Sequence, residues 1–131
     1  MKSSPSLVVL LSVLLVLSVP VLFVVFKPLL MGGKEAARVE KIEKGISIYN
    51  ENCASCHGIS MKGTNQGPPF IHRVYVPSHH GDQAFHLAVE KGVRAHHWPF
   101  GDMPAIPGLE HDDVSAVIEY IRHEQRKNGI K

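Results

Sequence analysis

The stretch "ENCASCHGIS" holds Cys53 and Cys56, the only two cysteines among 131 residues, with His57 directly behind them. Two thiols and an imidazole this close together suit three kinds of chemistry: a zinc site, a redox dithiol, or an anchor for haem. Structural zinc takes four ligands, usually with a second Cys or His pair, and the chain has no further cysteine. A thioredoxin-like dithiol belongs beside a βαβ unit, which this chain lacks. A disulfide between residues so close would shut a tiny loop and stabilise little. C-x-x-C-H is the signal of covalent c-type haem. On a helical turn, residues three apart face the same way, so both thiols can add across the vinyl groups of one porphyrin. His57 then binds its iron from one axial side.

Iron in haem has a second axial position. Of four methionines, Met1 and Met31 precede the region that can fold around the motif, and Met61 follows His57 too closely to reach the opposite face easily. Met103 remains, in "GDMPAIPG", where Pro104 stiffens the loop, 46 positions beyond His57. Of the nine histidines, four form two adjacent pairs, His79-His80 and His96-His97. A second metal such as copper would be the sharp reading of these pairs. A helix of about ten residues stands between them and sets them roughly 15 Å apart, so one ion would need the loops to fold back. The expectation is that they are surface or haem-edge groups, with His96 or His97 near enough to Met103 to replace it as ligand in some state. Trp98 is expected against the haem edge, where its indole N–H could bond a propionate; simple core packing is the alternative.

These groups need elements to hold them. Ala36 to Asn52 carries Val39, Ile42, Ile46 and Tyr49 at helical spacing, a single apolar stripe. Gly45 lies within that stripe and is unfavourable in a helix by about 1 kcal/mol relative to Ala, which predicts a close crossing with another helix. Residues 58–81 are punctuated by Gly and Pro and read as loop. A short helix follows from Asp82 to Lys91, with Ala84, Phe85, Ala88 and Val89 on one face and Gly92 closing it. Three prolines make "HHWPFGDMPAIPG" a loop. A last helix from Asp112 to Lys127 buries Val114, Val117, Ile118 and Ile121, with Asp112 and Asp113 suiting its positive end and Gly129 stopping it. The class is all-α. Three short helices and long loops bury little apolar area, so a large flat cofactor is expected to fill the middle.

The rest of the composition points to a membrane. Residues 3–26 contain no charge, and Leu7 to Phe26 is an apolar run of 20 residues broken by Ser12, Ser18 and Pro20. As a helix it would be roughly 30 Å long, about a hydrocarbon core. A cleaved signal peptide is the rival reading. Its apolar part is usually about 7–15 residues and ends in a small-x-small site, and "KPLLMGGKEAARVE" offers no good one. The expected organisation is an anchor over residues 1–30, a hinge over 31–37 and a haem domain over 38–131. Lys2 lies on one side of the run and Lys27, Lys34 and Arg38 on the other, so the positive-inside rule leaves the orientation open. Beyond Lys2 and Lys27, 12 basic residues face 12 acidic ones, which excludes a basic nucleic-acid module.

"ENCASCHG", "GPPF", "GDMP" and the closing amphipathic helix together resemble the class I mono-haem cytochrome c domain, over about Glu43 to Asn128. The resemblance implies that the first helix, through Gly45 and Tyr49, crosses the last helix near Tyr120. It implies that the Pro68 carbonyl accepts the free ring proton of His57, which would fix the ligand's tautomer. Trp98 departs from the commonest family pattern in its loop. With both axial sites filled by His57 and Met103, the iron would have no position for substrate, and the expected role is an electron carrier rather than an enzyme. The cofactor is one haem c on Cys53 and Cys56. Haem attachment outside the cytoplasmic membrane, as the resemblance implies for a bacterium, puts the domain on the periplasmic or outer face with the amino terminus inside. Expected partners are the membrane and redox proteins such as a quinol-oxidising complex, a dehydrogenase or a terminal oxidase, with Lys62, Lys91 and Arg94 shaping a local patch. The alternative is a fixed haem subunit of a larger membrane oxidase or dehydrogenase, which mild-detergent pull-down would recover as a stoichiometric complex.

Overall fold

The computed structural model describes residues 32–131. The expected anchor over Leu7 to Phe26, with the whole of residues 1–30 and Met31, lies outside the described residues, and among those described no helix is long and apolar enough to cross a membrane. Residues Val39–Lys131 form one compact unit. The described elements are helices α1 (Gly33–Asn52), α2 (Ala54–His57), α3 (Asp82–Lys91) and α4 (His111–Lys127), with a 3₁₀ turn at Arg73–Tyr75 between α2 and α3. The described residues contain no strand, only an isolated antiparallel bridge between Val93 and Met103.

Helix α1 starts earlier than the expected hinge allows. The Gly32 carbonyl accepts from the N–H groups of Glu35 and Ala36, Glu35 suits the positive helix end, and the run Lys34–Ala37 favours helix. The described part of the hinge is therefore helical from Gly33. The stripe is also rotated from the expected one: Gly45 and Tyr49 are buried, while Ile46 is 36% exposed. The rotation follows from the crossing. Gly45 lies against the backbone of Ala116 and the Cβ of Tyr120 on α4, and Tyr49 meets the Tyr120 ring edge-on at 5.6 Å. Lys44 completes the contact with an ion pair to Asp113 at 2.8 Å.

The inner face of α4 buries Val114, Val117, Ile118 and Ile121, as its spacing predicts, and adds Ala116, Arg122 and Gln125. Its first turn is closed by a reciprocal capping box between Glu110 and Asp113. Arg122 and Gln125 are buried polar groups that serve the loop before α3. Arg122 donates to Asp82 Oδ1 at 2.9 Å, to the Tyr75 carbonyl at 2.6 Å and to the His80 carbonyl at 2.5 Å, and lies 5.0 Å over the Phe85 ring. Gln125 donates to the Phe70 carbonyl at 2.9 Å. The last helix thus holds residues 70–82 in place by their backbone carbonyls. Arg122→Ala removes the donor to the His80 carbonyl and the Asp82 ion pair and leaves the Tyr75 carbonyl to Gln125 alone at 3.1 Å. The expected loss is about 2–3 kcal/mol, read as a fall in melting temperature of roughly 10–20 °C. A shift under a few degrees in a thermal scan of the holoprotein would refute this role.

Candidate haem site

The motif forms as a single helical turn, α2, immediately after α1. The turn is fixed from several sides. Tyr49, wholly buried, donates its hydroxyl to the Gly58 carbonyl at 2.7 Å. Thr64 Oγ1 donates to the Cys56 carbonyl at 2.6 Å, and Gly63 N–H to the His57 carbonyl at 2.8 Å. His57 Nδ1 donates to the Pro68 carbonyl at 2.9 Å, the contact that the family resemblance implies. That bond fixes the tautomer and leaves Nε2 as the nitrogen with a lone pair. Burial pushes the His57 imidazole below its ordinary pKa, with the Pro68 bond working partly against it, so the ring is neutral and able to ligate at neutral pH.

Cys53 and His57 line a cavity of about 390 Å³ together with Trp98 and Met103. Much of the remaining wall is apolar and comes from Phe85 and Val89 of α3 and Val117 and Ile121 of α4. This explains why α3 has no buried residue: its apolar side faces the cavity rather than protein. Phe70 of "GPPF" stacks on the His57 ring at 4.1 Å and joins the motif to Tyr75 and Phe85. Met61 is almost fully buried in the core cluster with Tyr49 and Phe70 and is not in the cavity wall, which leaves Met103 as the sulfur on the cavity among the described methionines.

Cys56 is half-buried and is not among the lining residues; its Sγ lies 3.9 Å from Gln66 Oε1. Joining it to the same group as Cys53 calls for a turn about χ1, a move between staggered wells. Burial, with Cys56 adding to it, pushes the Cys53 thiol up to about 11. Nucleophilic redox cysteines have depressed values, so this environment disfavours a redox dithiol. The Trp98 indole N–H is buried without a hydrogen-bond partner. Burial raises the Tyr75 phenol and the nearby Trp98 N–H pulls it the other way, although the pair does not reach hydrogen-bonding geometry. An apolar cavity with one thiol, a tautomer-fixed imidazole, a thioether and an orphaned donor fits haem c.

Two features were not foreseen. Gly92, read only as the stop of α3, also clasps the Met103 loop. Val93 and Met103 exchange two backbone hydrogen bonds of 2.9 Å, and a Cβ on Gly92, whose φ is 75°, would meet the Met103 carbonyl oxygen at 2.6 Å. The histidine pairs, expected roughly 15 Å apart along a helix, converge: His79 Nε2 lies 3.2 Å from His97 Nε2, and the His80 and His96 rings are 5.9 Å apart. The reason is Gly92. Its φ of 75° turns the chain back at the end of α3, and residues 93–97, outside any helix, return along that helix toward its start. His80, His96 and His97 all line the cavity, so the haem-edge placement agrees with the geometry while the separation does not. Burial, and then His96, His80 and His79, hold the His97 imidazole below its ordinary pKa.

A C-x-x-C-H turn whose histidine is carbonyl-held beside an apolar cavity defines a helical haem-binding domain. The family model for cytochrome c matches residues 42–125, well over half of the chain, and the chain belongs to the cytochrome c family. Its cofactor is haem c, bound covalently through cysteine, and Cys53 and Cys56 are the two cysteines it has. No curated protein and no solved structure matches the chain significantly. Membership defines a haem-binding electron carrier.

Proposed function

We propose that this chain is a membrane-tethered carrier of single electrons in a bacterial respiratory chain, with His57 and Met103 as the axial ligands of its one haem. Haem supplies a one-electron couple at iron when bound. The supporting observation is that His57 and Met103 line one apolar cavity. The bond to Pro68 keeps His57 oriented, the Val93 bridge and the Gly92 contact keep Met103 in place, and the apolar walls from α3 and α4 exclude water. A site held this rigidly needs little rearrangement when its charge changes, and with both axial positions filled by side chains it gives substrate no place to bind. His/Met ligation raises the reduction potential relative to paired histidines. Trp98 offers its unpartnered N–H to a propionate. A tether over Leu7 to Phe26, with the haem domain on the outer face, would raise the concentration of the carrier near membrane partners.

Met103→Ala tests the ligation. The weak far-red absorption band of the ferric protein, which reports sulfur on iron, is expected to vanish completely, and the reduced variant is expected to bind carbon monoxide where the native protein does not. A variant that keeps the band would exclude Met103 as ligand.

A further inference from the structure

The His79–His97 pair and the ring of His80 have no part in holding the haem through His57 and Met103. We propose that His79, His80 and His97 form a site for one divalent transition-metal ion of the zinc and copper(II) class, beside the haem cavity. Each residue can present one ring nitrogen so that the three lie within 4.8 Å of one another. Two zinc-bound imidazole nitrogens, each at about 2.0–2.1 Å from a tetrahedral ion, stand roughly 3.3 Å apart. The observed Nε2–Nε2 separation of His79 and His97 is 3.2 Å.

The third imidazole is prepared for ligation. His80 Nδ1 donates to the Val74 carbonyl at 2.8 Å, which leaves Nε2 as its acceptor nitrogen, and a carbonyl partner on the far ring nitrogen is the usual support of a metal-bound histidine. The backbone of His80 is held by Arg122 through its own carbonyl. On the opposing loop, Asp102 Oδ1 accepts from Ala95 N–H at 2.8 Å, which orders the approach to His97. Three neutral nitrogens suit zinc, copper and nickel rather than magnesium or calcium. His79 and His97 are exposed, so water can complete the coordination. His96, 4.3 Å from His97 by ring centroid, lies next to the set and outside it. A bound ion would join the loop before α3 to the loop after it, across the wall of the haem cavity. A hydrogen bond between neutral His79 and His97 accounts for their contact without an ion, and the experiment has to separate the two.

The test is calorimetric titration of the full-length holoprotein in detergent with zinc chloride. One ion per chain is expected, and the double substitution His79→Ala/His97→Ala should weaken its dissociation constant by about 100-fold or more. His86→Ala, at a histidine stacked on His111 away from the set, should leave it unchanged. The haem spectrum monitors the fold of each variant, and His79→Gln/His97→Gln, which keeps side chains of similar reach, should lose binding equally. Copper(II) spin resonance should show nitrogen couplings that the double variants lack. Native protein that takes up no zinc, or double variants that bind it undiminished, would overturn the site. Neither result would bear on Met103 or on electron transfer.

Discussion

Replacing both cysteines, Cys53→Ala/Cys56→Ala, is expected to make all of the haem extractable by acid–acetone, where the native protein should release none. Each single variant retains one thioether and should keep its pigment bound. The double variant should also lose its fold once the haem is gone. Without haem, the apolar walls of a 390 Å³ crevice would be left in contact with water, and a domain held by about 5–15 kcal/mol has little margin for that loss. The walls would have to collapse, and α3, which has no buried residue, would keep only its contacts with α4 and Phe70. The expected readout is a loss of helical circular dichroism on extraction and no cooperative thermal transition afterwards. A haem-free variant that melts cooperatively at the native temperature would show that the helices form a self-sufficient core.

Gly45→Ala is the second large effect, and here local and tertiary physics predict opposite signs. In an isolated helix the change stabilises by about 1 kcal/mol. In this fold the new methyl group meets the Ala116 carbonyl and carbon of α4, which are backbone atoms and cannot swing away. The helices must separate, and overpacking of this kind costs about 1–3 kcal/mol, sometimes more. We expect a net loss near 3 kcal/mol and a melting temperature lower by roughly 12–24 °C. Gly33→Ala, where an added Cβ meets nothing within 4 Å, is the control and should be neutral or slightly stabilising. A stabilised Gly45→Ala variant would mean that α1 and α4 do not cross at this residue.

What could be read from the residues is what depends on short-range spacing. The turn at Ala54–His57, the limits of α3, the inner face of α4 and the wall position of Met103 each follow from a motif or a helical period within one segment. The crossing at Gly45 was legible because a glycine inside an apolar stripe needs a reason, yet its rotational consequence for Ile46 was not: the stripe is centred on the closest approach, which the partner helix decides. Arg122 and Gln125 look like surface residues in a helix pattern because the carbonyls that accept from them lie 42 to 55 positions away in the chain. The separation of the histidine pairs was misjudged for a similar reason. Spacing along α3 set their distance in the reading, whereas the chain reversal at Gly92 sets it in the fold. The hinge before α1 was inferred from a glycine pair, and the good helix formers after it prevailed.

Fold and function both depend on haem being joined to the chain by sulfur, and intact-mass spectrometry of denatured protein from a host able to attach haem measures that directly. The predicted result is a chain heavier by one haem, whose mass shift moves entirely to the peptide containing Cys53 and Cys56 on digestion. A chain that folds cooperatively and carries no added mass at those two residues would contradict it.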